Sequence, residues 1–576
     1  MRFLIRMRFI LPFLVGAFVA FLASIAYWRS NCQPITTKLK PRGAYTHAAS
    51  SANASWQKIP CIINGNRRNP VDCRVEPSNE VFLPFSFIAR YFEITGKIET
   101  DKKSLNAEKF FNWQHSYAKL ILPKLPYESD GIFMSFDNYN VEVRDRVKCI
   151  SAIEGVPVSS QWSTSGHVYP VQVAQFGLSH YSKNISEERP RHRLVANFER
   201  DFDFDVPRGS YAERIEDSEK ELWVLNFSAP VNYTSPGIPI PFPDTGEPYV
   251  IFGVKFYRHG AISFHLEVQE TERTTYELIY ACGADTISTQ GNRVIYGLGS
   301  CSEWNYLVRD VYVDLIKGLN LYYKKSSKKD KIRFNMARMR IQQAELHGRG
   351  LLDGLTLASS AHSELFEKAA DWLVRSQDTV GGWPVTVKRK LGSVELEPPW
   401  YSAMAQGQAM STLIRAYKRL KNHKYLQAAV KALDLFSKSS EAGGISAVFM
   451  NKFVWFEEYP TNPPSFVLNG FIYALLGLYD VKTVADGNDA ERSGKLFDTG
   501  VESLKALLPL YDTGSGSVYD LRHFTLKGPP NLARWDYHST HITQLQVMNS
   551  IHPDPVFADF AERWAQYMKG QRADHN

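Results

Sequence analysis

The stretch "WFEEYPTNPPSFVLNGFIYALLGLYD", Trp455–Asp480, sets an acid and a phenol, Glu458 and Tyr459, ahead of a proline pair and a long apolar run. Large apolar residues recur three and four apart along that run, which predicts a helix, and the prolines predict a turn at its entrance. The same periodicity runs through "AHSELFEKAADWLVRSQ", "YSAMAQGQAMSTLIRAYKRL", "YLQAAVKALDLFSK", "KLFDTGVESLKALLPLYD" and "FADFAERWAQYMKG". Six or more helices joined by loops rich in Gly, Trp and Pro, such as "VGGWPV" and "EPPWYS", predict an α/α barrel over residues 353–576. The open end of such a toroid gathers loops on a rigid scaffold, where chemistry concentrates.

Working outward, the pattern upstream is different. Residues 76–330 carry short aromatic and β-branched runs broken by Gly, Pro, Asn and Asp, including "YNVEVRDRVKCI", "ELWVLNF", "YVIFGVKFY", "AISFHLEVQ", "YELIYACG" and "RVIYGLG". This is strand chemistry at the spacing of hairpins and a sandwich. From Lys324 to Arg340 the chain has eight Lys or Arg against one Asp, read as a solvated connection that reaches into 331–352. The expected class is therefore multidomain α+β, with a β-rich region followed by the barrel.

The start of the chain predicts topology. Arg2, Arg6 and Arg8 precede the twenty residues Phe9 to Trp28, which carry no formal charge. That length spans a bilayer, and the basic flank predicts a cytoplasmic tail at 1–8, a signal anchor at 9–28 and a stem at 29–75. Six cysteines, with Cys61 and Cys73 as the most plausible local loop, and sequons at Asn53, Asn184, Asn226 and Asn232 suit an oxidising lumen. The last two sequons are expected in exposed turns.

Three loops of the carboxy-terminal half each offer a Tyr beside a charged group: "WFEEYP", "GSGSVYDLRHF" with Tyr519, Arg522 and His523, and "PNLARWDYHSTHITQ" with Arg534, Asp536, Tyr537, His538 and His541. A single Tyr at a helix edge is ordinarily an amphipathic core residue with its hydroxyl in water. Three together near charges invite an acid–base reading.

These strings, with "GGWPVTVKRKLG", "PPWYSAMAQGQAMSTLIRAY" and "YNVEVRDRVKCISAIEGVPVSSQW", resemble the D-glucuronyl C5-epimerase of heparan sulfate and heparin biosynthesis. The resemblance is weakest in the stem and from about Ser186 to Thr245. It implies a type II Golgi membrane protein with a lumenal catalytic domain, acting as a homodimer on heparan sulfate precursor chains and working beside other Golgi heparan sulfate enzymes. It implies no nucleic-acid partner.

Inverting C5 of a glucuronate needs a base and an acid on opposite faces of the sugar and a cation for the charge that collects on its carboxylate. No cofactor is required, because the carboxylate itself holds the electrons. By resemblance Glu458, Tyr459, Tyr519 and Tyr537 serve the chemistry, with Tyr537 and the Glu458/Tyr459 pair on opposite faces. A phenol is useful there if a neighbouring Arg draws its pKa of ~10 down toward working pH. Arg522 is the candidate partner of the carboxylate, since a planar guanidinium binds both oxygens. Lys388, Arg389 and Lys390 match a substrate loop. Asn469 and Tyr473 lie four apart on a helix and share a side. Asn531, Arg534 and His538 join them by resemblance. Arg144, Arg146 and Lys148 alternate along an expected strand and would extend the groove, in keeping with a formal net charge of +7 and a polyanionic substrate.

Other signals carry less. "DFDFD", Asp201 to Asp205, is an acidic loop whose oxygens would suit a structural calcium ion. His538 and His541 lack a third zinc ligand at ordinary spacing. No Walker-type loop is present in the sequence. Two rival readings share these residues: a uronate lyase, which begins with the same proton abstraction, and a non-catalytic polysaccharide binder that uses the tyrosines for stacking.

Overall fold

The computed structural model describes residues 56–574, apart from 64–65, 92–93, 101–108, 115–118, 200–203, 219–220, 232–234, 244–245, 271, 284, 323–331 and 333. The apolar segment 9–28, Cys32, the sequons at Asn53 and Asn232, most of "DFDFD" and much of the basic run fall outside the described residues. Among those described, no helix is long and apolar enough to cross a membrane.

The chain divides into a small unit ending at residue 92 and a large unit beginning at 93. In the small unit, strands Gln57–Ile63, Asn66–Val75 and Val81–Phe82 form an antiparallel sheet followed by a helix, Phe85–Tyr91. A Cys61–Cys73 disulfide joins its first two strands, as the spacing predicted. The expected stem is thus ordered strand from Gln57 onward, where "QKIPCII" supplies the alternation of a strand.

Two long strands dominate the first half of the large unit. Tyr249–Gln269 and Met339–Ala358 pair antiparallel almost end to end at the centre of a ten-stranded sheet. Their register breaks between Phe256 and Gly260, where Gly348 takes φ 87° and a Cβ would stand 2.2 Å from His259 O. Only glycine fits that bulge, and the bulge lets both strands bend. Their inward residues, among them Phe252, Phe264, Leu346 and Leu352, close on Leu225, Leu278, Tyr280 and Tyr296 as one buried core, a sheet folded over itself. The expected connection at 331–352 is corrected here: from Met339 the chain is a central strand, and the sheet continues to Ala358. Asn226 likewise lies within strand Leu222–Ala229 and not in a turn.

The longer helices of the second core are α1 (Pro170–Ser186), α2 (His362–Ser376), α3 (Ala403–Leu420), α4 (His423–Lys431), α5 (Leu468–Val484), α6 (Gly487–Leu507), α7 (Trp535–Ile551) and α8 (Pro555–Tyr567). Helix α1 packs on α2 and α3, α3 on α4 and α5, α5 on α6 and α7, and α7 on α8. Their buried faces make a second core that includes Trp383, Trp455, Phe471 and Trp564. Contact between α3 and α5 is close because both are notched: a Cβ at Gly407 would stand 2.3 Å from Tyr473 O, and one at Gly477 2.3 Å from Gly407 O. Beside that crossing Arg415 and Asp480 form a fully buried ion pair at 2.8 Å, and Tyr127 donates to the same carboxylate at 2.9 Å. Helix α1 comes from the β-rich half of the chain yet belongs to this helical core. It is buried on all sides from Pro170 to Lys183, so it lacks the apolar stripe that marks a surface helix.

Candidate active site

Two consecutive acids open the site. Strand Phe453–Phe456 leads into Glu457, whose backbone N–H donates to Ile445 O at 2.7 Å and whose carbonyl accepts from Ala403 N at 2.9 Å. Its carboxyl accepts the N–H groups of Ser465 (3.2 Å) and Phe466 (3.0 Å), closing the proline turn over itself. Burial pushes that carboxyl up to about 8 against those two bonds. Glu457 is therefore committed to the loop, and it is Glu458 that faces the cavity.

Glu458 lines the larger of two adjoining cavities of about 470 and 490 Å³, which share Arg146, Gln161, Tyr459, Arg534 and Tyr537 in their linings. Tyr519 donates to Glu458 Oε1 at 3.5 Å and Asn469 Nδ2 reaches Oε2 at 3.5 Å. Burial is the largest influence on this carboxyl and raises it to about 7, while Tyr459, Arg389 and Tyr519 pull it down. A carboxyl at that value can hold or release a proton near neutrality.

The three predicted phenols are brought together. Tyr459 follows Glu458 in the loop, Tyr519 comes from strand Val518–Asp520, and Tyr537 from the first turn of α7. The rings of Tyr519 and Tyr537 meet edge to face at 4.8 Å. Their titration runs opposite to the expectation of a pKa lowered by Arg. Burial first, and the Glu458 charge second, raise Tyr459 and Tyr519 well above the usual phenol range and raise Tyr537 as well. The pull of Arg389 on Tyr459 is smaller than either. At neutral pH these phenols keep their protons.

Among the predicted binding residues, Asn469 and Tyr473 share one face of α5 and both line the larger cavity. Alternation along strand Arg389–Leu391 sorts the basic triplet. Arg389 turns to the cavity, its guanidinium 4.7 Å from the Trp162 ring and 5.4 Å from that of Tyr459. Lys388 pairs with Glu395 and Glu397, both at 2.6 Å, and Lys390 with Glu395 at 3.5 Å. Arg144 and Arg146 line the larger cavity from a turn, not a strand, since the strand begins at Val147; Lys148 instead donates to Ser165 O at 2.8 Å. Arg534 lines both cavities and pairs with Asp536 at 2.7 Å, and Asn531 lines the smaller one.

Two predicted residues are elsewhere. Arg522 does not line the cavities; its guanidinium holds the buried Asp520 at 2.8 Å. His538 is fully buried on the far side of α7, sharing the Ser517 hydroxyl with His541 at 2.8 and 2.9 Å and meeting Trp564 O at 3.0 Å. Burial lowers both imidazoles, so they are neutral core groups. Among the described residues no group of three His, Cys, Asp or Glu could hold a metal ion.

Part of the wall beside the Glu458 loop comes from residues that periodicity did not reveal: the Trp162 ring lies 6.3 Å from that of Tyr459. Tyr169, Gln172 and Gln175 of the α1 start line the larger cavity, and Trp162 lines the smaller. Trp162 holds φ 67°, a left-handed conformation costly for so large a side chain. The proline at the first position of α1, which opens a helix of seventeen residues, was the available signal.

Residues 377–566 match the family model for the D-glucuronyl C5-epimerase C-terminus, and residues 221–349 match that for the D-glucuronyl C5-epimerase beta-sandwich domain. The chain is 35% identical to a D-glucuronyl C5-epimerase of Caenorhabditis elegans over 543 residues, covering 86% of this chain and 87% of the relative. It is also 31% identical to an uncharacterized protein of Methanocaldococcus jannaschii over 177 residues, 30% of this chain and 53% of that protein. A rhamnosidase from Klebsiella oxytoca with rhamnose bound aligns over 69% of this chain and 72% of its own, at 10% identity and a TM-score of 0.17. With sandwich and carboxy-terminal region both matched and a relative aligned along most of its length, the chain belongs to the D-glucuronyl C5-epimerase family.

Proposed function

We propose that this protein converts D-glucuronate to L-iduronate within N-sulfated heparan sulfate and heparin precursor chains. The observation that carries the roles is the pairing of one carboxyl poised near neutrality, Glu458, with a protonated phenol, Tyr537, supplied to the same cavity by a different element. Glu458 takes the C5 proton and Tyr537 returns one to the opposite face. Tyr459 and Tyr519 donate to the Glu458 carboxylate and hold it in place. Arg389 and Arg146 take the position first given to Arg522, offsetting charge on the uronate carboxylate as the enolate forms. The electron pair stays on the substrate, so the reaction calls on no cofactor.

Family membership disfavours the lyase and the non-catalytic binder. Deuterated water separates all three: the epimerase gives iduronate labelled at C5, a lyase gives shortened chains ending in an unsaturated uronate, and a binder leaves C5 unlabelled. Neither label nor iduronate on a long N-sulfated chain would sink the assignment.

The same reading extends to a helical region closed as an α/α barrel, a homodimer, a structural calcium ion at the acidic loop and co-operation with other Golgi heparan sulfate enzymes. It also takes residues 9–28 as a type II anchor in the Golgi membrane. The uncharged run at 9–28 supports the anchor, and the Cys61–Cys73 and Cys282–Cys301 disulfides support a lumenal setting. Recovery of the full-length product mainly as a soluble, cleaved form would overturn the anchor.

A further inference from the structure

The turn that brings Arg144 and Arg146 to the larger cavity is held by the β-rich half of the chain. Helix Val311–Tyr322 buries Val311, Leu315 and Leu319 in the core of the ten-stranded sheet and packs against strand Val147–Ile150. Asp314 and Lys317 lie three apart and share a side of that helix. Lys317 Nζ donates to Arg144 O and to Val147 O, both at 2.7 Å. Arg309 donates to Asp314 through Nε and Nη2, both at 2.8 Å, and also to Ile150 O at 2.9 Å and Ser151 O at 3.1 Å. Four carbonyls within residues 144–151 are thus engaged by two cations, one from the sheet and one from its helix.

The two cations have different reach. Arg309 acts at Ile150 and Ser151, which line neither cavity of the site, whereas Lys317 acts at the turn itself. Val147 N–H donates to Arg144 O at 3.0 Å and closes the turn over Asp145 and Arg146, so the ammonium binds the acceptor of the turn's own bond. Arg144, Asp145 and Arg146 all line the larger cavity, while Lys317 lines neither. The Arg144 guanidinium lies 3.8 Å from the centre of the Tyr139 ring, and Arg146 is near enough to act through space on Tyr169 and Tyr537. Two arginines so close in sequence repel each other, and a loose turn would let them splay into solvent. Carbonyl bonds to Lys317 fix the backbone from which both side chains start, so less ordering is left to be done when an anionic chain binds.

We propose that Lys317 is a positioning residue for the epimerisation: by binding the Arg144 and Val147 carbonyls it presets the turn whose arginines receive the anionic chain, and it makes the β-rich region part of the cavity. The inference rests on the reading of that cavity as the site of the uronate chain.

The test is a double-mutant cycle on kcat/KM for iduronate formation from a long N-sulfated chain, with melting temperatures alongside. K317M keeps the apolar stem and removes the ammonium, and it should cost about tenfold in the parent. In R146A, where the turn has less to present, the same change should cost no more than about threefold. Equal factors in the two backgrounds would make Lys317 a general structural support and overturn the proposal, as would K317M at the parent kcat/KM. Should K317M fail to fold, hydrogen exchange of the parent reads the same link. Adding the N-sulfated chain should slow the Val147 amide together with amides of helix Val311–Tyr322, and slowing confined to the turn overturns the proposal. A parent that forms no labelled iduronate sinks the cavity reading instead, whatever Lys317 does.

Discussion

Gly470 lies directly against the side chain of Glu458: a Cβ built on it would stand 2.4 Å from Oε2 and 2.5 Å from the Glu458 Cβ. Helix α5 thus begins with a notch that the Glu458 carboxyl occupies. Gly470→Ala should push the carboxyl out of line with the substrate and lower kcat at least about tenfold, a barrier change of about 1.4 kcal/mol. Helix propensity favours Ala, so the melting temperature should fall far less than activity. Unchanged kcat would remove the notch from the design of the site.

Glu457 and Glu458 should be separable by pH. The folded Glu457 carboxyl titrates at about 8, against ~4.3 in an unfolded chain. Below the lower value both states hold the proton. Between the two only the folded state holds it, so stability falls as pH rises through that window. E457Q abolishes the titration while its amide oxygen can still accept from Ser465 and Phe466. Its melting temperature should gain on the parent between about pH 5 and about pH 8, and a constant difference would contradict the assigned titration.

Tyr537→Phe removes one hydroxyl from a cavity-lining ring and little volume. It should lose most turnover with the melting temperature almost unmoved, the pattern of an interaction used in the transition state. Tyr459→Phe should behave alike. Full activity in either removes that phenol from the chemistry, and a large loss of stability marks it as a core residue.

The basic triplet should divide sharply. Arg389 faces the cavity, whereas Lys388 and Lys390 are engaged by Glu395 and Glu397 at the surface. Arg389→Ala should cost about a hundredfold or more in kcat/KM through a lost charge-assisted contact, and Lys388→Ala no more than about threefold. Equal losses would return Lys388 to the groove.

His538→Ala should report on the core. The ring joins α7 to α8 through Trp564 and to the loop before strand Val518–Asp520 through Ser517, and its loss should destabilise on the order of 2 kcal/mol. KM of the folded variant should stay at the parent value. A raised KM with unchanged stability would restore His538 to the binding set.

Helical spacing located most of the carboxy-terminal helices because their apolar stripes face one core. Asn469 and Tyr473 were placed correctly by the same rule. The spacing missed α1, which is buried all round, and read "PNLARWDYHSTHITQ" as loop although α7 starts at Trp535. The boundary at 353 failed for a related reason. Residues 339–358 are a doubly covered strand in which Gly348, Gly350 and Gly354 interrupt alternation. Arg522 and His538 were misplaced because a one-residue step reverses a side chain on a strand and turns it by about 100° on a helix. Tyr519 and Asp520, or Tyr537 and His538, are neighbours in sequence with opposite surroundings. Phenol titration depends on how deeply the groups pack, which no motif states.

Helix α1 ties the order of synthesis to the order of assembly. Pro170–Ser186 emerges well before α2 and α3, the helices on which it packs, and at translation speeds of about 5–20 residues per second the wait is of order ten seconds or more. Through that interval a segment destined to be buried on every side has only the preceding turns around residues 133–140 and strand Pro157–Ser159 to pack on, and lacks its helical partners. The nascent protein must be sheltered there, and a carboxy-terminal fragment released by a protease would leave behind one wall of its own cavity.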